Sequence, residues 1–158
     1  MDLGMWRSTF KRNANGFPDG DTWKLEFDSM IEPKHPQPGW KEYITRTSAR
    51  FRCSKCGRPW PSNIVMVFFH MHLEDSTGTV KVKRSGQSCQ ECNDGRMQDP
   101  MVDLEHITIL MKNLVTKMRI KCYNEDLDDC EHDQKKLDVN SSHDPDNCEA
   151  CRKGFCRN

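Results

Sequence analysis

Between Glu42 and Arg52 the chain alternates. Thr45, Thr47, Ala49 and Phe51 fall on one side, and Arg46, Ser48, Arg50 and Arg52 on the other. A period of two with one apolar side is the mark of a half-buried strand. The alternation resumes at Asn63, where Val65, Val67, Phe69, Met71 and Leu73 share a fully apolar side. The other side begins with Ile64, Met66 and Phe68 and ends in His70 and His72, read as the point where the strand emerges into solvent. Thr79 to Arg84 puts Val80 and Val82 inward, with Lys81 and Lys83 outward. Asp75 to Gly78 supplies turn residues between the two runs, so they are expected to form a hairpin. The period then lengthens. Leu104, Ile107, Met111, Leu114, Met118 and Cys122 recur every three or four residues, which predicts a helix of about five turns with one apolar face. Asp99-Pro100 reads as its start, with aspartate capping the free amides and proline at the first helical position. Upstream, Trp6 and Phe10 sit on a short amphipathic helix, and Trp23 to Phe27 alternates like a strand. Three prolines between Glu32 and Gly39 make that stretch an extended loop.

The cysteines change this picture more than anything else. Cys53-Ser-Lys-Cys56 and Cys89-Gln-Glu-Cys92 bracket the β-rich stretch. Each Cys-x-x-Cys turn curls the backbone around a small ion, and two together supply the four sulfurs a structural zinc prefers. A redox dithiol would need a thioredoxin-like βαβ setting, which the pattern does not provide. Near the C-terminus, His143, Cys148, Cys151 and Cys156 follow the spacing His-x4-Cys-x2-Cys-x4-Cys, enough for a compact Cys₃His knuckle. Cys122 and Cys130 are the substitutes should His143 not ligate, and the first pair could instead close with the third. Two zinc ions are expected.

Only 35% of the 158 residues are hydrophobic, with a mean hydropathy of −0.87. Such a chain buries a modest core and needs a staple. A structural zinc contributes about 10–16 kcal/mol of apparent free energy, comparable to the whole stability of many domains. Charge is balanced at 24 basic and 24 acidic residues, so no global field draws the chain to nucleic acid. Nine cysteines without a secretory signal suit a reducing compartment. The expected fold is α+β: a small zinc-stabilised domain with an antiparallel sheet or hairpin packed by a long amphipathic helix, plus a C-terminal zinc knuckle. Residues 1–158 read as a single domain. Within it, 1–41 hold the N-terminal helix and Pro-rich loop, 42–122 the zinc-bridged sheet and helix, 123–142 an acidic flexible loop, and 143–156 the second knuckle.

Gly39-Trp40-Lys41, Phe51-Arg-Cys-Ser-Lys-Cys56 with Trp60-Pro-Ser62, and Gly86-Gln-Ser-Cys-Gln-Glu-Cys92 resemble the zinc-finger domain of the vertebrate receptor-transporting proteins. The tail from Ser142 to Cys156 is similar to that of the family's interferon-inducible member. The resemblance spans about Trp6 to Cys156. It implies a cytosolic zinc domain that escorts chemosensory and other G-protein-coupled receptors to the cell surface. Relatives are normally tethered by a C-terminal membrane helix; this sequence stops at Asn158 with no apolar tail, so the expectation is either a soluble form or a membrane reached only through a C-terminal anchor absent from this chain. For the interferon-inducible relative it also implies antiviral RNA binding.

Two further classes compete with the receptor adaptor. Arg46, Arg50 and Arg52, with Lys81, Lys83 and Arg84, could form a basic patch for RNA, with Trp60 stacking on bases; the bland alternative is a solvated sheet face. Catalysis would need a zinc with an open position and a nearby base. Both sets here look closed by four protein ligands, so no enzyme is expected.

Overall fold

A computed structural model describes residues 2–17, 20–92, 94–128, 131–139 and 143–154. Helix α1 spans Asp2–Asn13 and is followed by β1 (Thr22–Phe27), β2 (Lys41–Arg52), β3 (Pro59–Glu74) and β4 (Thr77–Arg84). Two short strands come next, β5 (Gln87–Ser88) and β6 (Met97–Gln98), then α2 (Leu104–Tyr123) and α3 (Glu149–Arg152). Four strands form one sheet in the order β1-β4-β3-β2, and β5 pairs antiparallel with β6. The fold is α+β, as the patterning indicates. The sheet is mixed, because β1 runs parallel to β4 with Leu25 opposite Val80 and Phe27 opposite Val82. A sequence shows that β1 is a strand; its direction depends on a partner more than fifty residues away.

The chain divides into two compact units, and β2 and β3 supply residues to both. The first comprises residues 1–44, 68–83 and 104–133. Trp6, Phe10, Leu25, Phe69, Met71, Ile107, Leu110, Leu114 and Met118 are all buried in it. The three-and-four spacing of α2 therefore does what it predicts, although Leu104 stays exposed. Burying such side chains contributes about 1.5–3 kcal/mol each, so this unit rests on an apolar core.

Two features of this unit differ from the sequence reading. The helix starts at Leu104, not at Asp99-Pro100. His70 does not emerge into solvent; it is buried and bonded to Glu42 at 2.7 Å, and Glu42 also accepts from the Lys34 N–H. His72 stacks on Trp40, 5.1 Å between centroids, which in turn carries the Lys81 ammonium. Within the acidic stretch, His132 is anchored on α2: Asn113 donates to its carbonyl at 3.0 Å and accepts its N–H at 2.8 Å.

The second unit comprises residues 45–67, 84–103 and 134–158. Its interior is different in kind. Ala49, Phe51, Val65 and Val67 are apolar, but Thr47, Ser48, Ser62, Ser85, Gln87, Ser88 and Asn147 are buried beside them. Asn63 repeats the asparagine clamp on Leu137, at 2.9 Å to its carbonyl and 2.7 Å from its N–H, while accepting from Ser48. Residues 99–103 are drawn into this unit because Met101 exchanges both backbone hydrogen bonds with Arg50. That pairing, and the Arg84 bond to the Pro100 carbonyl, hold Asp99-Pro100 out of helix.

Candidate metal centres

Both metal-ligand clusters found among the described residues lie in the second unit. The first begins where β2 ends. The turn after Cys53 is closed by Gly57, whose φ of +78° lies in the left-handed region that a side chain disfavours. Gly57 donates to the Cys53 carbonyl at 2.9 Å, and Cys53 donates to the Arg58 carbonyl at 2.9 Å. With the turn set, the N–H groups of Lys55 and Cys56 each point at Cys53 Sγ, 3.4 Å away.

Cys89 follows β5 directly. Its register comes from both sides: β6 pairs with β5, and Gly86 lies so close to the Gln98 carbonyl that a Cβ there would sit 2.8 Å from it. On this frame Cys53 Sγ lies 3.6 Å from Cys92 Sγ, and Cys56 Sγ 3.8 Å from Cys89 Sγ. A zinc–thiolate tetrahedron with bonds of about 2.3 Å has edges of about 3.8 Å, so the four sulfurs fit a zinc ion.

The electrostatics agree. Burial alone would raise the Cys89 thiol, but the Arg58 guanidinium and the N–H groups of Cys92 and Glu91 outweigh it and bring it to about 6. Backbone N–H donors, Cys56 first, also lower Cys53. Cys92 moves the other way, to about 12, because the Cys56 and Cys53 sulfurs crowd it. Four thiolates this close are not stable together without a cation between them.

The second cluster joins His143, Cys148 and Cys151, with His143 Nε2 3.3 Å from Cys151 Sγ. The segment is built in two steps. Pro145–Asn147 forms a 3-10 turn headed by Asp144, which accepts from the Asp146 N–H and from the Asn147 side chain. Cys148 then heads α3, and its sulfur accepts from the Cys151 N–H at 3.4 Å. Burial lowers the His143 pKa and so favours the neutral imidazole that a metal needs. Cys156, the fourth expected ligand, and Cys130 lie outside the described residues. Cys122 is half-buried on α2, in the other unit, and burial raises its thiol.

The knuckle is docked on the first site's own strand. Gln87 bridges Cys148, Glu149 pairs with Gly86 through both its N–H and its carboxylate, and Ser88 donates to Asn147 at 2.6 Å. These contacts end one residue before Cys89, and nothing in the cysteine spacing announces them. A serine and an asparagine 59 residues apart become legible only once the strand is placed.

The six basic candidates are distributed between the units. Arg46, Arg50 and Arg52 are exposed on β2 in the second unit; Arg50 faces Asp103 at 3.8 Å and Arg52 donates to the Gly57 carbonyl. Arg84 is bonded as described. Lys81 and Lys83 are half-buried on β4 in the first unit, with Lys81 3.4 Å from Asp28. Trp60 is engaged rather than open for stacking: it lies on Phe51 at 5.4 Å, carries Arg58 at 4.8 Å and donates to Gln87 at 2.9 Å.

Two Cys-x-x-Cys turns closing one four-sulfur cluster, followed by a third beside a histidine, define a zinc-binding protein of the three-CxxC zinc-ribbon class. Residues 46–154 match the family described as a zinc-binding domain of that type. Receptor-transporting protein 2 of Mus musculus is 33% identical over 95% of the chain, and receptor-transporting protein 1 of the same species 31% over 98%. Receptor-transporting protein 4 of Homo sapiens is 31% identical over 99%. The chain belongs to the receptor-transporting protein family. It spans 69%, 60% and 65% of these three relatives' lengths, in that order. No solved structure matches it. Among the described residues, no helix is long and apolar enough to cross a membrane.

Proposed function

We propose that this chain is a non-enzymatic, zinc-held adaptor that promotes delivery of G-protein-coupled receptors, of the chemosensory kind, to the cell surface from the cytosolic side of the membrane. The observation that carries the reading is the similarity, over nearly the whole of this chain, to proteins named for receptor transport. In this reading Cys53, Cys56, Cys89 and Cys92 hold one zinc, and His143, Cys148, Cys151 and Cys156 hold the second. Zinc supplies a cross-link here rather than a reaction centre. Asp144, the carboxylate on the roughly 180 Å³ cavity that His143 also lines, accepts from the Asp146 N–H and the Asn147 side chain and so caps the turn that leads into Cys148.

Two measurements test it. Native mass spectrometry under reducing conditions should show two zinc ions per chain, with Cys53→Ser and Cys148→Ser each losing one; both variants losing the same ion would redraw the ligand sets. In cells, surface labelling of a co-expressed chemosensory receptor should rise with the chain and fall back with Cys53→Ser. No rise with a zinc-loaded chain refutes the adaptor reading.

RNA binding is the second reading, and the row of exposed arginines on β2 favours it. Charge reversal of Arg46, Arg50 and Arg52 to glutamate should then abolish RNA binding at unchanged zinc content. Unchanged RNA affinity removes the row from consideration.

A further inference from the structure

Arg58 stands just outside the four sulfurs and is fixed there from several sides. Its backbone carbonyl receives the Cys53 N–H, closing the first knuckle. Its Nε donates to Cys89 Sγ at 3.4 Å. Its guanidinium lies over Trp60, which is itself held by Phe51 and Gln87. Nη2 is buried and has no hydrogen-bond partner among the described residues. A buried cationic donor without a partner costs free energy unless negative charge faces it.

The sulfurs have the matching deficit. Four thiolates around one Zn²⁺ carry a net charge of about −2; water screens it on the side of Cys56, which is exposed, and partly at Cys92, but Cys53 and Cys89 are only 3% and 1% exposed and must find their compensation within the protein. The nearby cations are otherwise placed: Arg52 is turned to the Gly57 carbonyl, and Lys55 is exposed to solvent.

We propose that Arg58 is a positioning residue for metal retention, whose fixed charge offsets the surplus negative charge of the four-sulfur site and holds Cys89 in its ligating place. This rests on the assignment of Cys53, Cys56, Cys89 and Cys92 as one zinc site. Outer partners of this type are worth about 10- to 100-fold in metal affinity. Lysine keeps the charge but not the planar fork that donates to sulfur while lying on an indole, whereas glutamine keeps a donor without the charge.

The test uses the full chain, loaded with Zn²⁺ and titrated with a competing chelator. A parallel series is loaded with Co²⁺ to read the sulfur-to-metal charge-transfer absorption. Wild type and Cys53→Ser come first, to mark which release step belongs to the four-cysteine site; an unchanged zinc count in Cys53→Ser refutes the ligand assignment itself. With that step marked, Arg58→Gln should lower its affinity about 10- to 100-fold and shift the cobalt band, and Arg58→Lys should do less of each. Wild-type affinity and an unshifted band in Arg58→Gln overturn the proposal. Equal losses in both variants without a band shift also overturn it, because packing on Trp60 rather than charge would then be the cause.

Discussion

The two units solve the problem of staying folded in opposite ways. The first buries indole, phenyl and long aliphatic side chains from α1, the sheet and α2. The second buries serine, glutamine, asparagine and thiol groups, with few large apolar side chains among them. Apolar burial stabilises without regard to partner, whereas a buried polar group stabilises only modestly when its hydrogen bond is made and costs free energy when it is not. The first unit is therefore expected to hold through its apolar core. The second is expected to depend on metal to offset the ordering of its loops.

Removing zinc should break the comparison most visibly. Chelation withdraws about 10–16 kcal/mol of apparent stability per structural site. Amide hydrogen exchange should then become fast at Ser88, Cys89 and Cys148 while Phe69, Leu110 and Met111 stay protected. Uniform loss across both units would mean that the first unit cannot stand alone. Leu110→Ala inverts the design: it should cost about 2–5 kcal/mol, lowering the melting temperature of the zinc-loaded protein without lowering its zinc count. Asn63→Ala strands the Leu137 backbone groups and Ser48, a loss of about 1–3 kcal/mol. Limited proteolysis should report it as faster cutting within 131–139. Lys81→Ala, on a partly exposed ion pair with Asp28, should change stability by less than about 1 kcal/mol, and a larger shift in thermal melting would show that its seat on Trp40 matters more than the pair.

Sequence legibility follows the same division. In the apolar unit, periodicity alone placed α1, the β3–β4 hairpin and the buried face of α2, because the forces there are local in pattern even when distant in space. It misplaced the start of α2, since Asp99-Pro100 has every mark of a cap and was overruled by Met101 pairing with Arg50. It also misread His70, whose partner Glu42 lies 28 residues away. In the metal-bearing unit the Cys-x-x-Cys spacings announced the sulfur cluster, because knuckle geometry is set within five residues. What they left unannounced is everything that aligns one knuckle with another: the Ser88–Asn147 bond, the double contact of Glu149 with Gly86, and Arg58 on Cys89. Such polar contacts have no period. Trp60 is a related case, since an aromatic beside arginines looks like a base-stacking platform until its own neighbours are seen.

The placing of the four tryptophans gives the molecule an optical property. Trp6, Trp23 and Trp40 all belong to the apolar unit, as do both tyrosines, and Trp60 alone belongs to the metal-bearing one. Its indole rests on Phe51 under the guanidinium that touches Cys89. With the other three tryptophans replaced by phenylalanine, fluorescence excited in the indole band would come from a single emitter beside the sulfur cluster. Metal loading could then be followed in real time without a dye.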